Sequence, residues 1–259
     1  MDYQKELALV LKAAQKAKKI IMKYYKEGFD VEIKSDDSPV TQADKESNNR
    51  IIEILASEFT DYGFLTEETD DDKIRLTKEF IWIIDPLDGT ADFVNHYDEF
   101  TINIALCKDH QIVLGVVCVP VYNVTYYAIK GQGAYKIDEN GQTKQIKCSD
   151  KTSDLTVLKS RFHSTDKEEA TYLKYQNKFK EVLTAGSSLK ACLIAEGKAE
   201  LSYRFSRGTK EWDTAAFQII VEEAGGLVLK LDKTPLTYNR EDVYNDSYVI
   251  MNNIKNMYI

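Results

Sequence analysis

The stretch Phe80-Ile81-Trp82-Ile83-Ile84-Asp85-Pro86-Leu87-Asp88-Gly89-Thr90 decides how the chain is read. Its unbroken apolar run, Phe80 to Ile84, suits a strand buried on both faces, and Asp85-Pro86 reads as its end because proline cannot donate to a sheet ladder. Two carboxylates, Asp85 and Asp88, then leave the strand, and Gly89 lets the turn bring backbone N–H groups close to a bound group. Such a turn makes a two-charge oxygen site. Hard divalent cations such as Mg²⁺ take carboxylate, water and phosphate oxygens, so phosphate is the natural bridging ligand.

Outward from this turn, Gly63-Phe64-Leu65-Thr66-Glu67-Glu68 delivers paired glutamates at the end of a short apolar strand. Trp212-Asp213-Thr214-Ala215-Ala216 opens a helix with an aspartate, which by itself is an ordinary N-cap. Asp70-Asp71-Asp72 reads as a solvated loop face. Leu7, Val10, Leu11, Ala14, Ala17, Ile21 and Tyr24 recur at helical spacing with Gly28 as a stop, which predicts one amphipathic helix over 3–27. After the loop 34–39, a second helix is expected over 42–59, with Asp44 in its first turn and Ile51, Ile52, Leu55 and Phe59 facing inward. Residues 100–146 are β-rich with Gly or Asn at the bends, as in an antiparallel meander. Beyond them, helices are expected over 166–182, 188–196 and 212–224, and strands over 200–205, 227–231 and 247–251. Mixed sheets layered with helices follow. No repeat or linker divides the chain, so residues 1–259 read as one unit whose two packed halves meet near residue 150.

With 259 residues the chain can bury a real core, and 43% hydrophobic residues exclude intrinsic disorder. Its 34 Lys+Arg against 42 Asp+Glu leave a net charge of -8, which argues against nonspecific binding to nucleic acid or an anionic membrane. The longest nearly apolar stretch, Ile112 to Val121, is interrupted by Gly115 and Pro120 and falls short of the about 18 residues of a spanning helix. Charges interleave the apolar positions near the N-terminus, so no signal-peptide core is read. Cys107, Cys118, Cys148 and Cys192 lack metal-ligand spacing and read as buried free thiols of a reducing compartment, which makes the cytoplasm the expected address. His96, His110 and His163 are too scattered to propose as a base and read as structural.

Residues Ile81 to Thr90 closely resemble the W-x-I-D-P-(I/L)-D-G-T signature of the inositol monophosphatase superfamily, the lithium-sensitive, magnesium-dependent phosphatases. Trp212-Asp213-Thr214-Ala215-Ala216 with the following Glu223-Ala224-Gly225-Gly226 resembles the second signature. Val40-Thr41-Gln42-Ala43-Asp44, Leu65-Thr66-Glu67-Glu68 and Gly186-Ser187-Ser188 add matches in family order across nearly the whole chain.

The resemblance implies an α+β fold, the layered α-β-α-β-α sandwich of the inositol monophosphatase and fructose-1,6-bisphosphatase type. It also implies a Mg²⁺-dependent phosphomonoester hydrolase, inhibited by Li⁺ and homodimeric, that acts on a small phosphorylated metabolite. Glu67, Asp85 and the Leu87 carbonyl would hold one metal and Asp85, Asp88 and Asp213 a second, with a third, weaker one near Glu67 through waters. Gly89 and Thr90 would present N–H groups to the phosphate. Asp44 would accept the Thr90 hydroxyl, so that Thr90 and Glu67 orient an attacking water activated by metal. Lys34, Gly186, Ser187, Ser188, Ser206 and Arg207 would complete the substrate side, with Asp88 and Asp213.

Two departures matter. Thr66 replaces the usual Gly before the glutamate pair, and Ser206 stands where inositol phosphatases place a Glu that accepts inositol hydroxyls. Arg204, Arg207 and Lys210 around it form either a solvated cationic loop or a seat for a second anionic group on the substrate. Inositol 1-phosphate is the first substrate the family suggests, with NADP 2′-phosphate and fructose 1,6-bisphosphate beside it; the basic residues predict that bisphosphates or nucleotide phosphates are turned over at least as well. One rival is an aspartyl-phosphate enzyme of haloacid dehalogenase type, whose D-x-D-G-T loop resembles Asp85 to Thr90 but with a different separation and no proline. The other is a non-catalytic regulatory protein that keeps the fold.

Overall fold

In the computed structural model, which describes residues 2–34 and 39–259, the N-terminal periodicity produces α1 (Gln4–Glu27). This helix buries Leu7, Val10, Ala13, Ala14, Ala17 and Ile21 and ends at Gly28, whose φ of 101° is left-handed. Leu11 and Tyr24, expected inside, are half-buried. Positions 35–38 of the expected loop lie outside the described residues. β1 (Val31–Ile33) and β2 (Pro39–Thr41) pair antiparallel and lead into α2 (Gln42–Ala56). At its first turn Asp44 accepts the Thr41 N–H at 2.8 Å, closing a capping box. The helix stops short of the expected 59, and Ile54 rather than half-buried Ile52 faces the core.

Seven strands form one sheet in chain order: β3 (Gly63–Thr66), β4 (Phe80–Asp88), β5 (Thr101–Lys108), β6 (Gln111–Val119), β7 (Val124–Ile129), β8 (Ala134–Ile137) and β9 (Thr143–Ile146). β3 lies parallel to β4, and the rest is the antiparallel meander. Along β4 the side chains alternate between two cores. Ile81 and Ile83 enter the one shared with the second sheet, while Trp82 and Ile84 enter the one under α1 and α2. Burial on both faces, at about 1.5–3 kcal/mol per large apolar side chain, is what makes this run a central strand.

The strand does not end at Pro86, as the sequence suggested. It continues to Asp88, with Asp85 opposite Asn103 and Asp88 opposite Thr101, so that three steps on β4 face two on β5. This irregularity takes the missing proline N–H out of the ladder and turns the chain into the short helix α3 (Thr90–Val94).

A second sheet is built from β10 (Leu155–Lys159), β11 (Phe179–Thr184), β12 (Leu201–Arg204), β13 (Leu227–Lys230) and β14 (Tyr248–Met251), in the order β11-β10-β12-β14-β13. Its helices are α4 (Asp166–Lys174), α5 (Leu189–Ala195) and α6 (Glu211–Glu223). The single helix expected over 166–182 is corrected to α4 followed by β11. Val182 and Thr184 favour a pleated strand, and β10 supplies its parallel partner, a pairing that local spacing does not reveal. The layers run α1/α2, seven-stranded sheet, α5/α6, five-stranded sheet, α4; one apolar cluster lies under α1/α2, a second embeds α5/α6 between the two sheets, and a third lies on the outer face of the five-stranded sheet. This is the expected α-β-α-β-α sandwich. α6 lies so close to β6 that a Cβ at Gly115 would sit 2.4 Å from the Ala216 carbonyl oxygen.

The acidic run at 70–72 is only partly a solvated face. Asp70 and Asp72 are exposed, but Asp71 grips Arg75, which is 1% exposed, with Nε and Nη2 at 3.0 and 2.7 Å. Burial of the guanidinium demands that partner. The four cysteines are free and buried, and among the described residues no helix is long and apolar enough to cross a membrane.

Candidate active site

Strand ends and helix starts converge on one cleft. β4 carries Asp85, Leu87 and Asp88, the residue after β3 is Glu67, and the first turn of α6 holds Asp213. Carboxylate oxygens of Asp85, Asp88 and Asp213 lie within 4.8 Å of one another. Asp85 is 1% exposed and accepts the Leu87 N–H at 3.0 Å. Burial, then the charges of Glu67, Asp88 and Asp213, pushes its carboxyl well above the usual range. Burial together with Asp88 and Glu67 pushes Asp213 up to about 8. Three crowded carboxylates of this kind are a hard-oxygen donor set that fits a divalent cation such as Mg²⁺. Glu67 and the Leu87 carbonyl stand beside them as further oxygens in the cleft.

Asp88 is held from four directions. Its Oδ2 accepts the N–H and the hydroxyl of Ser188, each at 2.7 Å, and lies 3.1 Å from both the Asn103 amide and the Thr101 hydroxyl. Its Oδ1 takes part in none of these bonds. Asp44 is anchored through Oδ2 to the Thr41 N–H and hydroxyl at 2.8 and 2.6 Å, and its Oδ1 lies 3.0 Å from the Thr90 hydroxyl, which is also 3.1 Å from the Leu87 oxygen. Burial raises the Asp44 carboxyl, against the Thr41 and Thr90 bonds. Gly89 opens α3 at a φ of 89°, and a Cβ there would press on Ser187 at 3.2 Å.

Other residues named from the sequence take different positions. Lys34 bridges the two glutamates, 3.1 Å from Glu67 and 2.6 Å from Glu68. Burial opposes its charge, but those carboxylates outweigh it and hold the ammonium above its ordinary range. The Gly186 N–H and the Ser187 hydroxyl bind Glu99 at 2.9 and 2.7 Å, so with Ser188 on Asp88 the loop's polar groups serve the protein. Arg207 is exposed and paired with Asp242, and Ser206 is half-buried in the same turn; neither lines the cleft.

The cleft encloses about 570 Å³ and has a cationic wall that the sequence revealed only in part. Arg204 donates Nη1 to the His163 carbonyl at 3.0 Å, while its buried Nε has no hydrogen-bond partner among the described residues. Lys190, whose Nζ reaches the Ala185 and Ser187 carbonyls at 3.2 and 2.9 Å, and the ring of His163 stand with it. Burial, then Arg204 and Lys190, lowers the His163 pKa, so its ring is neutral near pH 7. Lys190, two residues beyond Ser188 on an expected helix, carried a signal. His163 carried none, because the loop between β10 and α4 brings it in.

A metal-dependent phosphatase is the class that this fold and acidic cleft define. The chain belongs to the inositol monophosphatase family, whose family model matches residues 2–257. It is 40% identical over 246 residues to the 3′(2′),5′-bisphosphate nucleotidase CysQ of Salmonella typhimurium, a match covering 93% of this chain and 98% of that one. Among solved structures, CysQ from Bacteroides thetaiotaomicron superposes with a TM-score of 0.85 at 34% identity, over 97% of this chain and 99% of that one. An inositol monophosphatase from Thermotoga maritima superposes with a TM-score of 0.82 at 26% identity, over 96% and 92%. Membership sets aside the haloacid dehalogenase reading, and the enzyme reading prevails over the non-catalytic one.

Proposed function

We propose that this phosphatase acts on a small nucleotide carrying two phosphates, a 3′(2′),5′-bisphosphate, in preference to inositol 1-phosphate. The observation that carries this reading is the cationic wall: Arg204, its buried Nε unpartnered among the described residues, stands with Lys190 in the same cleft as the acidic cluster. A second phosphate in the cleft meets the Arg204 and Lys190 charges that line it. The activity for which the CysQ relatives are named supports the same substrate class. A cleft of about 570 Å³ accommodates a nucleotide.

In this reading Asp85, Asp88, Asp213, Glu67 and the Leu87 carbonyl hold Mg²⁺, two or three ions in all. When bound, Mg²⁺ neutralises phosphoryl charge and lowers the pKa of water. Gly89 and Thr90, at the start of α3, direct N–H groups at the phosphate, since helix-start N–H groups have no partner within the helix. The Thr90 hydroxyl, fixed by Asp44, and the Glu67 carboxylate align water behind the phosphorus. His163, neutral, offers a flat face to a base. The test is phosphate release from adenosine 3′,5′-bisphosphate, 3′-AMP, NADP, fructose 1,6-bisphosphate and inositol 1-phosphate, with and without Mg²⁺ and Li⁺. The highest kcat/KM is expected for the nucleoside bisphosphate; hydrolysis of inositol phosphate alone overturns the proposal.

A further inference from the structure

Asp213 sits on a turn that is clamped from behind by one residue, Asn245, which is 0% exposed. The Asp213 carboxylate is oriented by the Lys210 N–H, 2.6 Å from its Oδ2. That N–H belongs to the same peptide plane as the Thr209 carbonyl, and the Thr209 carbonyl accepts the Asn245 backbone N–H at 2.8 Å. The next carbonyl, that of Lys210, accepts the Asn245 side-chain amide at 2.8 Å, and the same amide lies 3.0 Å from the Thr214 hydroxyl. Asn245 therefore fixes two successive peptides just before Asp213 and one side chain just after it. Its amide has one orientation only, because its Oδ1 accepts Arg240 Nη2 at 2.8 Å. Arg240 is held in turn by Glu211 through Nε at 3.1 Å and through its backbone N–H at 2.9 Å.

We infer that Asn245 is a positioning residue for the cation site, its side-chain amide fixing the Lys210 carbonyl and, through Lys210, the direction of the Asp213 carboxylate. This rests on the proposal that Asp213 holds a metal. An aspartate has only acceptors to turn toward the Lys210 carbonyl, so Asn245→Asp opposes the clamp at nearly constant volume. Outer partners of metal ligands typically change affinity by about 10- to 100-fold.

The control is Asn252→Asp. Asn252 makes the same kind of clamp, its amide donating to the Ser149 and Lys151 carbonyls at 2.8 and 2.9 Å, but outside the cleft lining. Mg²⁺ affinity is measured by isothermal titration, alongside hydrogen exchange at the Lys210 amide in the metal-free protein. Asn245→Asp is expected to weaken Mg²⁺ binding about tenfold or more and to speed exchange at Lys210. Asn252→Asp is expected to lower Tm while leaving both readouts as in the wild type. If Asn245→Asp fails to fold, Arg240→Lys, which releases Oδ1 of Asn245, should move both readouts the same way to a smaller degree. A folded Asn245→Asp or Arg240→Lys protein with wild-type affinity and exchange overturns the role of Asn245, as does equal weakening by Asn252→Asp. A wild-type protein that binds no Mg²⁺ overturns the metal site itself and this role with it.

Discussion

Ser188, just before α5, donates its N–H and its hydroxyl to the same oxygen of Asp88, both at 2.7 Å, so the second sheet's half of the chain fixes a carboxylate of the first. A hydrogen bond to a charged acceptor is worth about 1.5–3 kcal/mol. Ser188→Ala keeps the N–H and the Asn103 amide but loses the hydroxyl. Mg²⁺ binding should weaken about tenfold by isothermal titration, and Tm should fall by several degrees. Unchanged affinity would mean that Asp88 does not need this donor to hold a cation.

Asp213 illustrates what the cleft costs in the absence of cations. Its carboxyl is pushed up to about 8 by burial and by Asp88 and Glu67, a sign of charges that repel one another. Asp213→Asn should therefore melt higher than the wild type in a chelator, by about 2–4 °C for each 1 kcal/mol of relief in a chain of this size. The same substitution should remove most of the Tm rise that millimolar Mg²⁺ gives the wild type, and should lower turnover at least about 100-fold. Scanning calorimetry decides: a lower Tm in chelator contradicts the like-charge argument.

How much of this could be seen in the chain beforehand depended on range. The 80–84 run announced a central strand because its neighbours in sequence bury both faces, and the spacing of Asp85 and Asp88 announced an oxygen site. The pairing of Asp44 with Thr90, 46 positions apart, was accessible through the family signatures and not through periodicity. β11 escaped because Tyr172, Tyr175 and Phe179 mimic helical spacing, while its strand character comes from β10. Asp71 read as solvated because nothing local marks Arg75 as buried. His163 and Asn245 enter the site or its support only through loops that long-range packing folds back.

The cationic wall makes substrate length a variable. Arg204→Gln removes the guanidinium whose buried Nε lacks an acceptor. KM for adenosine 3′,5′-bisphosphate should rise about tenfold or more, since one charged hydrogen bond of about 1.5–3 kcal/mol is lost, whereas KM for 3′-AMP should hardly move. Equal effects on both substrates would show that Arg204 does not meet the second phosphate.

Acid stability should report the Asp71–Arg75 pair. Burial opposes the Asp71 charge, but the bonds from Arg75 and Lys73 outweigh it and hold the carboxyl near about 2, below its ordinary 3.8. A depressed carboxyl contributes stability that is present above its unfolded value and is lost as pH falls through the folded one. The contribution should therefore be complete at pH 5 and vanish between about pH 4 and 2. Asp71→Asn, which strips charge from the partner of a buried guanidinium, should lose about 2–3 kcal/mol at neutral pH. Its denaturation midpoint should converge on that of the wild type as the pH approaches 2. Parallel profiles down to pH 2 would assign the loss to packing instead.

Thr90 separates alignment of water from binding of cations. Its hydroxyl has one proton and two acceptors in range, Asp44 Oδ1 at 3.0 Å and the Leu87 oxygen at 3.1 Å, so its lone pairs are left for a water. Thr90→Val keeps the volume and removes that acceptor. It also strands Asp44, whose loss of a donor costs about 1–3 kcal/mol, so a Tm lower by several degrees is expected. Turnover should fall about 100-fold or more, the scale of a positioned proton-transfer or oxygen-orienting group, while Mg²⁺ affinity by titration stays within about threefold. Thr90→Ser should restore most of the turnover, because the hydroxyl returns to the same two acceptors. A valine variant that keeps wild-type kcat would leave Glu67 to align the water alone, and the Asp44–Thr90 pair would then be a helix-anchoring contact.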